Sequence, residues 1–255
     1  MTHVTLLTDF GTRDGYVAAM KAVLANLAPD AHVSDAAHDL PQGDVQGGAV
    51  ALLRYWRLYP PGSVHVVVVD PGVGTRRRAV AAEADGRFLV GPDNGVLSWA
   101  LADAQRKRAV EIRQPVAGAP DTSSTFHGRD VFAPAAAHLA RGAALDGLGP
   151  AADDLVRLPR PSHEPAAGVV RGVVIAVDRF GNLITNIPAA SLPPRVSVHV
   201  EDRKVGPLRR TYGDVEPGDV LALIGSLASV EISVRDGSAA QALAVERGAR
   251  VEVRW

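Results

Sequence analysis

Two aspartates end apolar runs in the first third of this 255-residue chain. Asp9 follows Val4-Thr5-Leu6-Leu7-Thr8, and Asp70 follows Val64-His65-Val66-Val67-Val68-Val69. A carboxylate at the end of a buried strand is costly without a partner or a task. One such aspartate is equally well a cap for the next loop. Two, each followed at once by a Gly-containing turn (Phe10-Gly11 and Pro71-Gly72-Val73-Gly74), favour a site, because open parallel sheets bind ligands beyond the carboxyl ends of their strands. Behind the second turn stand Arg76, Arg77 and Arg78. Three successive arginines are most simply a solvated turn, yet the glycines let the chain double back, so an arginine seven residues on can return toward Asp70. The segment is no phosphate loop, since no Gly-Lys-Ser/Thr follows its glycines. His127 lies in Thr125-Phe126-His127-Gly128-Arg129-Asp130, a strand-to-helix loop at the same edge of the sheet, with Asp130 in the first helical turn. The other seven histidines (His3, His32, His38, His65, His138, His163 and His199) read as structural. Metal binding is not expected: no cysteine, His-x-x-x-His pair or Asp-rich cluster occurs. A serine hydrolase is disfavoured because no Gly-x-Ser-x-Gly elbow is present. On residues alone this describes a small-ligand enzyme with a polar site between two domains.

The elements that must hold these residues alternate in type. Val4–Thr8 reads as a strand, and Asp14 is expected to cap a helix carrying Tyr16, Val17, Met20, Val23, Leu24 and Leu27. Gly43–Tyr59 reads as a second helix. The Val64–Val69 run is too uniformly apolar for a half-exposed strand and suits a parallel sheet covered on both faces. Ala79–Glu83 and Arg87–Val90 flank Asp85-Gly86 as a hairpin with a primed turn. A helix at 96–102, a strand at 109–112 and a helix at 130–140 complete an α/β half. The stretch 143–167, rich in Gly, Pro, Ala and Asp, reads as linker. From Gly168 only short strands are expected (169–177, 183–187, 196–200, 220–224, 230–234 and 251–253), hence a small antiparallel barrel or sandwich. Asp178-Arg179-Phe180-Gly181-Asn182 and Gly225-Ser226 interrupt those strands, and spacing alone makes them ordinary hairpin turns.

Composition narrows the partners. Lys and Arg total 27 against 28 Asp and Glu, a formal charge of -1, which disfavours nucleic acid and anionic membranes. Apolar residues make up 47% and charged residues 22%, enough to build a core. No apolar run approaches the roughly 20 residues of a membrane span. The opening Met1–Asp9 reads as a buried strand rather than a leader. The expectation is a soluble cytoplasmic protein.

Six segments in order carry a resemblance. They are Thr8-Asp9-Phe10-Gly11 with Gly15-Tyr16-Val17 and Met20-Lys21; Val69 through Thr75; Gly91-Pro92-Asp93-Asn94-Gly95; Thr125 through Asp130 with Phe132-Ala133-Pro134; Asp178 through Asn182; and Gly225-Ser226 with Val230-Glu231-Ile232. Together they resemble the S-adenosyl-L-methionine (SAM) hydroxide adenosyltransferases, SAM hydrolases that form adenosine and are related to SAM-dependent fluorinating and chlorinating enzymes. The resemblance implies a Rossmann-like N-terminal α/β domain with a mostly parallel sheet (1–150), a linker (151–167) and a C-terminal antiparallel β-barrel (168–255). It implies a homotrimer with sites between one subunit's N-domain and its neighbour's C-domain, and no cofactor beyond the substrate SAM. The family's Asp–Arg–His set maps on Asp70, Arg77 and His127, with Arg76 and Arg78 as neighbouring registers for the arginine. The halogenating relatives lack this set, and the fluorinating ones carry an extra N-domain loop; nothing between Asn94 and Thr125 looks inserted, which favours the hydrolase branch. The pattern further implies Asp9 at the ribose hydroxyls, Asp178 at the methionine ammonium and Ser226 at its carboxylate. Asn182 would read the adenine, with Phe180 and Tyr212 against its face, and Glu231 is either a further member or a surface strand residue. The competing readings are a halide-using enzyme of the same fold and a non-catalytic adenosine- or SAM-binding module.

Overall fold

The computed structural model describes residues 1–113 and 118–255; the part of the 94–125 interval at 114–117 lies outside them. The chain is a mixed α/β protein with two sheets, one in each of two compact units, Met1–Leu158 and Pro159–Trp255.

In the first unit β1 (His3–Thr8), β2 (His32–Ala37), β3 (Val64–Val68), β4 (Ala79–Ala84), β5 (Arg87–Pro92) and β6 (Lys107–Glu111) form one sheet in the order β2-β1-β3-β5-β4-β6. The pairings β1–β2, β1–β3 and β3–β5 are parallel, and β4 pairs antiparallel with both neighbours. Every residue of β3 is buried, as its unbroken Val run requires, because both faces are covered. Val64, Val66 and Val68 pack with Met20, Leu24 and Leu139 on one face. Val67 and Val69 pack with Leu52, Trp56 and Leu97 on the other. Each such valine contributes about 2 kcal/mol by leaving water. The hairpin β4–β5 turns at Asp85 (φ 47°) and Gly86 (φ 77°), the paired positive angles a primed turn needs.

Several expectations shift. The first helix, α1 (Tyr16–Leu27), is entered through Gly15 at φ 77° with no side-chain cap, so Asp14 does not cap it. A left-handed entry is open to glycine at no steric cost. The expected 43–59 helix is α2 (Val45–Leu53), capped by Asp44, followed by a separate 3₁₀ turn at Trp56–Leu58. Strand β2 is absent from the sequence reading because its half-exposed His-Val-Ser-Asp-Ala-Ala shows no apolar alternation. α3 is Ser98–Asp103, and α4 (Ala133–Ala140) is preceded by a π-helical turn at Gly128–Phe132. Part of the 143–167 stretch is packed rather than loose. Leu145, Leu148 and Ala152 are buried, and Val156 N–H donates to the Asp93 carboxylate (2.8 Å).

In the second unit β7 (Glu164–Ala166), β8 (Val169–Val177), β9 (Leu183–Pro188), β10 (Ser197–Val200), β11 (Arg203–Gly206), β12 (Leu208–Arg209), β13 (Val220–Ile224), β14 (Ser229–Val234) and β15 (Arg250–Arg254) make a nine-stranded sheet. It curls far enough that β11 meets β13, around a core of Val170, Leu183, Ile187, Val198, Ile232 and Val251. Two details depart from a purely antiparallel, all-strand reading: β12 pairs parallel with β13, and a short helix, α5 (Ala239–Leu243), is present.

Candidate active site

Asp70 stands just past β3, and the chain then folds on itself. Val73 N–H reaches the Asp70 carbonyl and Thr75 N–H the Gly72 carbonyl. Gly74 sits at φ 76°, and a Cβ there would strike the carbonyl oxygen of Ser124, so only glycine lets this turn lie against the loop that carries His127. The doubling back returns Arg77. Its Nε donates to both Asp70 oxygens (3.0 Å each), and its Nη2 bonds Asp70 Oδ2 and also His127 Nδ1 (2.8 Å). Both members of the ion pair are almost enclosed, with side chains 10% and 4% exposed. The guanidinium also lies over the Phe132 ring, 5.3 Å from its centre. Such a forked, charge-assisted pair fixes orientation as well as charge. The neighbouring arginines differ: Arg76 is exposed, whereas Arg78 clamps Asp93 (2.7 Å) and Asp154 (2.7 Å).

His127 opens the π-helical turn, and Asp130 builds that turn. Fully buried, Asp130 accepts from Ser123 N–H (2.9 Å) and pairs with Arg129 (2.5 Å); its role is to pin the loop. A guanidinium has no acceptor, so Nδ1 of His127 must accept the Arg77 bond and the neutral ring carries its proton on Nε2. Burial first, and the Arg77 charge second, hold the His127 pKa below the ordinary histidine value against the pull of Asp70 and Asp130.

Asp9, Asp70 and His127 line one cavity of about 730 Å³, with Phe10, Tyr16, Gln42, Gly43 and Phe126 among the other walls. Asp9 accepts the Gly43 N–H at Oδ2 (2.7 Å), and no described residue donates to its other oxygen. The aromatic wall and the 42–43 corner escape a sequence reading. Gln42-Gly43 follows the unrecognised β2, and Phe10 and Tyr16 look like plain turn and helix residues. Their signal is their place in the segment around Asp9 that carries the family resemblance.

The second unit gathers its expected residues in two groups. Asp178 organises its own turn, accepting from Phe180 N–H (2.9 Å), Asn182 N–H (3.0 Å) and Asn182 Nδ2 (3.0 Å). Asn182 is buried, and Phe180 is 74% exposed, an unusual state for a ring that size. Tyr212 donates its hydroxyl to Glu231 (2.6 Å), which Ser233 also reaches (3.1 Å). Glu231 is 5% exposed in β14 and is no surface residue. Ser226 is exposed in the β13–β14 turn. The pairings Leu183↔Ile232 and Pro188↔Ser229 set that turn and the Asp178–Asn182 turn at opposite ends of the β9–β14 pair, so the sheet does not bring Ser226 to Asp178. Among the described residues no cluster of three metal-ligating side chains occurs, and no helix is long and apolar enough to cross a membrane.

Carboxylates at the carboxyl ends of parallel strands and an imidazole at the start of a neighbouring helical turn, around a cavity of small-molecule size, define an α/β enzyme that handles a small polar substrate. The comparisons make this specific. The sequence pattern of the SAM hydroxide adenosyltransferase N-terminal domain matches residues 4–149, and that of the C-terminal domain matches residues 172–252. The chain is 45% identical to the (R)-S-adenosyl-L-methionine hydrolase of Thermus thermophilus, over 99% of this chain and 100% of that protein. It is 44% identical to the enzyme of the same name from Salinispora tropica, over 98% and 97%. A crystal structure of an uncharacterized conserved protein from Thermotoga maritima superposes with a TM-score of 0.91 at 33% identity, covering 99% of this chain and 100% of that one. The chain belongs to the SAM hydroxide adenosyltransferase family.

Proposed function

We propose that this enzyme hydrolyses SAM to adenosine and L-methionine, with preference for the (R)-sulfonium epimer. The observation that carries the mechanism is the Asp70–Arg77–His127 cluster beside the cavity. Water oxygen forms the new bond to ribose C5′ while the C5′–S bond breaks. The bonding pair stays on sulfur, which leaves as a neutral thioether, and the water gives up one proton. The departing sulfur needs no acid. The enzyme must hold a desolvated, in-line water about 3–3.5 Å from the carbon. Asp70 accepts or orients the water's proton, Arg77 stabilises the developing hydroxide, and His127 fixes their geometry or relays the proton. Base assistance supplies roughly 10²–10⁴-fold, so positioning and electrostatics supply the rest. The neutral Nε2–H form of His127 supports a donor role toward the cavity rather than a second base.

For the substrate, Asp9 takes the ribose hydroxyls, a role supported by its open oxygen. Asp178 pairs with the methionine ammonium; its three internal bonds leave acceptor capacity on the carboxylate. The ammonium and carboxylate of methionine share one carbon, so Ser226, at the far end of the β9–β14 pair from Asp178, does not take the carboxylate in the same site. Asn182 reads the adenine through its amide oxygen, Phe180 and Tyr212 cover the base, and Glu231 holds the Tyr212 hydroxyl. These second-unit residues act on the cavity of a neighbouring protomer in a cytoplasmic homotrimer, each chain being a Rossmann-like domain (1–150) and a barrel (168–255) joined by 151–167. Turnover in ¹⁸O-water tests the reaction: label in adenosine O5′ is expected, and unlabelled adenosine overturns it. Resolved (S) and (R) substrates test the epimer preference, which equal rates would remove. Parallel assays with chloride and water separate hydrolysis from halide use.

A further inference from the structure

Behind the Asp9 turn runs a chain of side chains that the proposed reaction does not use. Thr8 is fully buried, and its Oγ1 accepts the Phe10 N–H (3.2 Å) and meets Nδ1 of His38 (2.8 Å). Nε2 of His38 meets Asp35 Oδ1 (3.0 Å), and Asp35 Oδ2 pairs with Lys21 on α1 (2.6 Å). The His38 carbonyl accepts the Gly11 N–H (2.8 Å). A carboxylate only accepts, so Nε2 donates to Asp35, and in the neutral ring Nδ1 accepts the Thr8 hydroxyl proton. The β1–β2 register slips between Leu6 and Leu7, which pair with Asp35 and Ala37. Such a bulge re-aims the side chains beside it, here ahead of His38. The order hydroxyl, imidazole, carboxylate resembles a nucleophile with its base, but the enclosed Thr8 hydroxyl meets no ligand. What the chain does reach is the backbone just after Asp9, at Phe10 and Gly11.

We propose that Thr8, His38 and Asp35 are positioning residues that hold the Asp9–Gly11 turn, so that the open Asp9 oxygen is set for the ribose hydroxyls of the substrate. The inference rests on the ribose role of Asp9 given above. It differs from a purely structural part, which would lower the affinity of every ligand alike.

The test compares adenosine with 2′,3′-dideoxyadenosine by calorimetric titration of the intact protein, alongside kcat and KM for SAM. Thr8→Val is expected to weaken adenosine binding by about tenfold, the scale of one hydrogen bond to a charged group. KM should rise in step while kcat moves less than about threefold. The dideoxy ligand should bind wild type and variant equally, and Thr8→Ser should restore adenosine affinity. The half-exposed Asp35→Ala tests the same chain from its surface end should Thr8→Val fold poorly, with the same pattern at smaller amplitude. Asp9→Ala separates the two layers. If Asp9→Ala discriminates between the two nucleosides but neither Thr8→Val nor Asp35→Ala does, the positioning role is wrong and the ribose role stands. If Asp9→Ala weakens both nucleosides equally, the ribose role fails and the positioning role falls with it.

Discussion

The turns after β1 and β3 occupy equivalent places on neighbouring parallel strands and line the same cavity, yet they treat their aspartates in opposite ways. Asp70 is paired with a cation: Arg77 forks onto it, and the pair is held against the Phe132 ring and tied to His127. Asp9 is steadied by one backbone N–H from Gly43 and keeps an oxygen open. What the following turn carries makes the difference. Seven residues with Gly74 at its bend bring a guanidinium home to Asp70, whereas the turn after Asp9 runs straight into α1. A carboxylate with a built-in cation is suited to controlling charge at a reacting centre. One with an open acceptor is suited to recognising hydroxyl groups. The same residue at the same strand end is therefore suited to two tasks, according to what the next ten residues return to it.

The largest effect that would break this contrast lies on the Asp70 side. Asp70→Asn and Arg77→Ala should each lower adenosine release by roughly 10²–10⁴-fold, with SAM binding still measurable by calorimetry. Arg77→Lys should rescue little, because an ammonium cannot reproduce the fork onto both oxygens and reach His127 as well. Full turnover in Asp70→Asn and Arg77→Ala would mean that the two turns do not differ in task.

Much of this was legible in the residues. The buried Val run, the primed hairpin turn at Asp85-Gly86 and strands β8, β13 and β14 follow from local pattern, because one face or both must leave water. The return of an arginine to Asp70 was legible from the glycine count of the turn. Which arginine returns was not, since one register step among Arg76, Arg77 and Arg78 changes nothing in composition and is settled by Gly74 lying against Ser124. Strand β2 was hidden because its side chains are half in water. With it went Gly43, the partner of Asp9, and the orientation of His38, which depends on a bulge no periodicity reports. Glu231 looked equally like a surface residue until the β13–β14–β9 pairing buried it.

Below their ends, β1 and β3 share a further polar pair: Thr5 faces His65 in register, Oγ1 to Nδ1 at 2.9 Å, and both are buried. Burial first, and the Arg87 charge second, push the His65 pKa down from 6.5 to about 4. Between those values the unfolded chain binds the proton that the folded chain refuses. Stability is therefore complete above about pH 6.5, falls as pH drops toward 4 and levels off below it, by up to about 3 kcal/mol. Urea titrations at pH 7, 5.5 and 4.5 should show this slope, and His65→Gln should flatten it. An unchanged slope would place the acid sensitivity elsewhere than in the strands that carry the two aspartates.

On the Asp9 side the expected loss is smaller, because an interaction with neutral hydroxyls is being removed rather than a charge at the reacting centre. Asp9→Ala should weaken adenosine binding by about 10–30-fold. Its kcat should fall far less than that of Asp70→Asn. A collapse of kcat with adenosine affinity intact would exchange the tasks assigned to the two turns.

The smallest effect is expected at Arg76→Ala. Arg76 shares charge, side chain and loop with Arg77 but points into water, so removing it should change stability by no more than about 0.5 kcal/mol and leave kcat and KM as they were. The value of this variant is that it isolates geometry from charge. If the arginines acted only by making the loop positive, long-range repulsion of the net cationic substrate would be relieved on removing any one of them, and KM at low ionic strength would fall equally for Arg76→Ala and Arg77→Ala. A response confined to Arg77, and insensitive to salt, is what a fork fastened onto Asp70 and His127 requires.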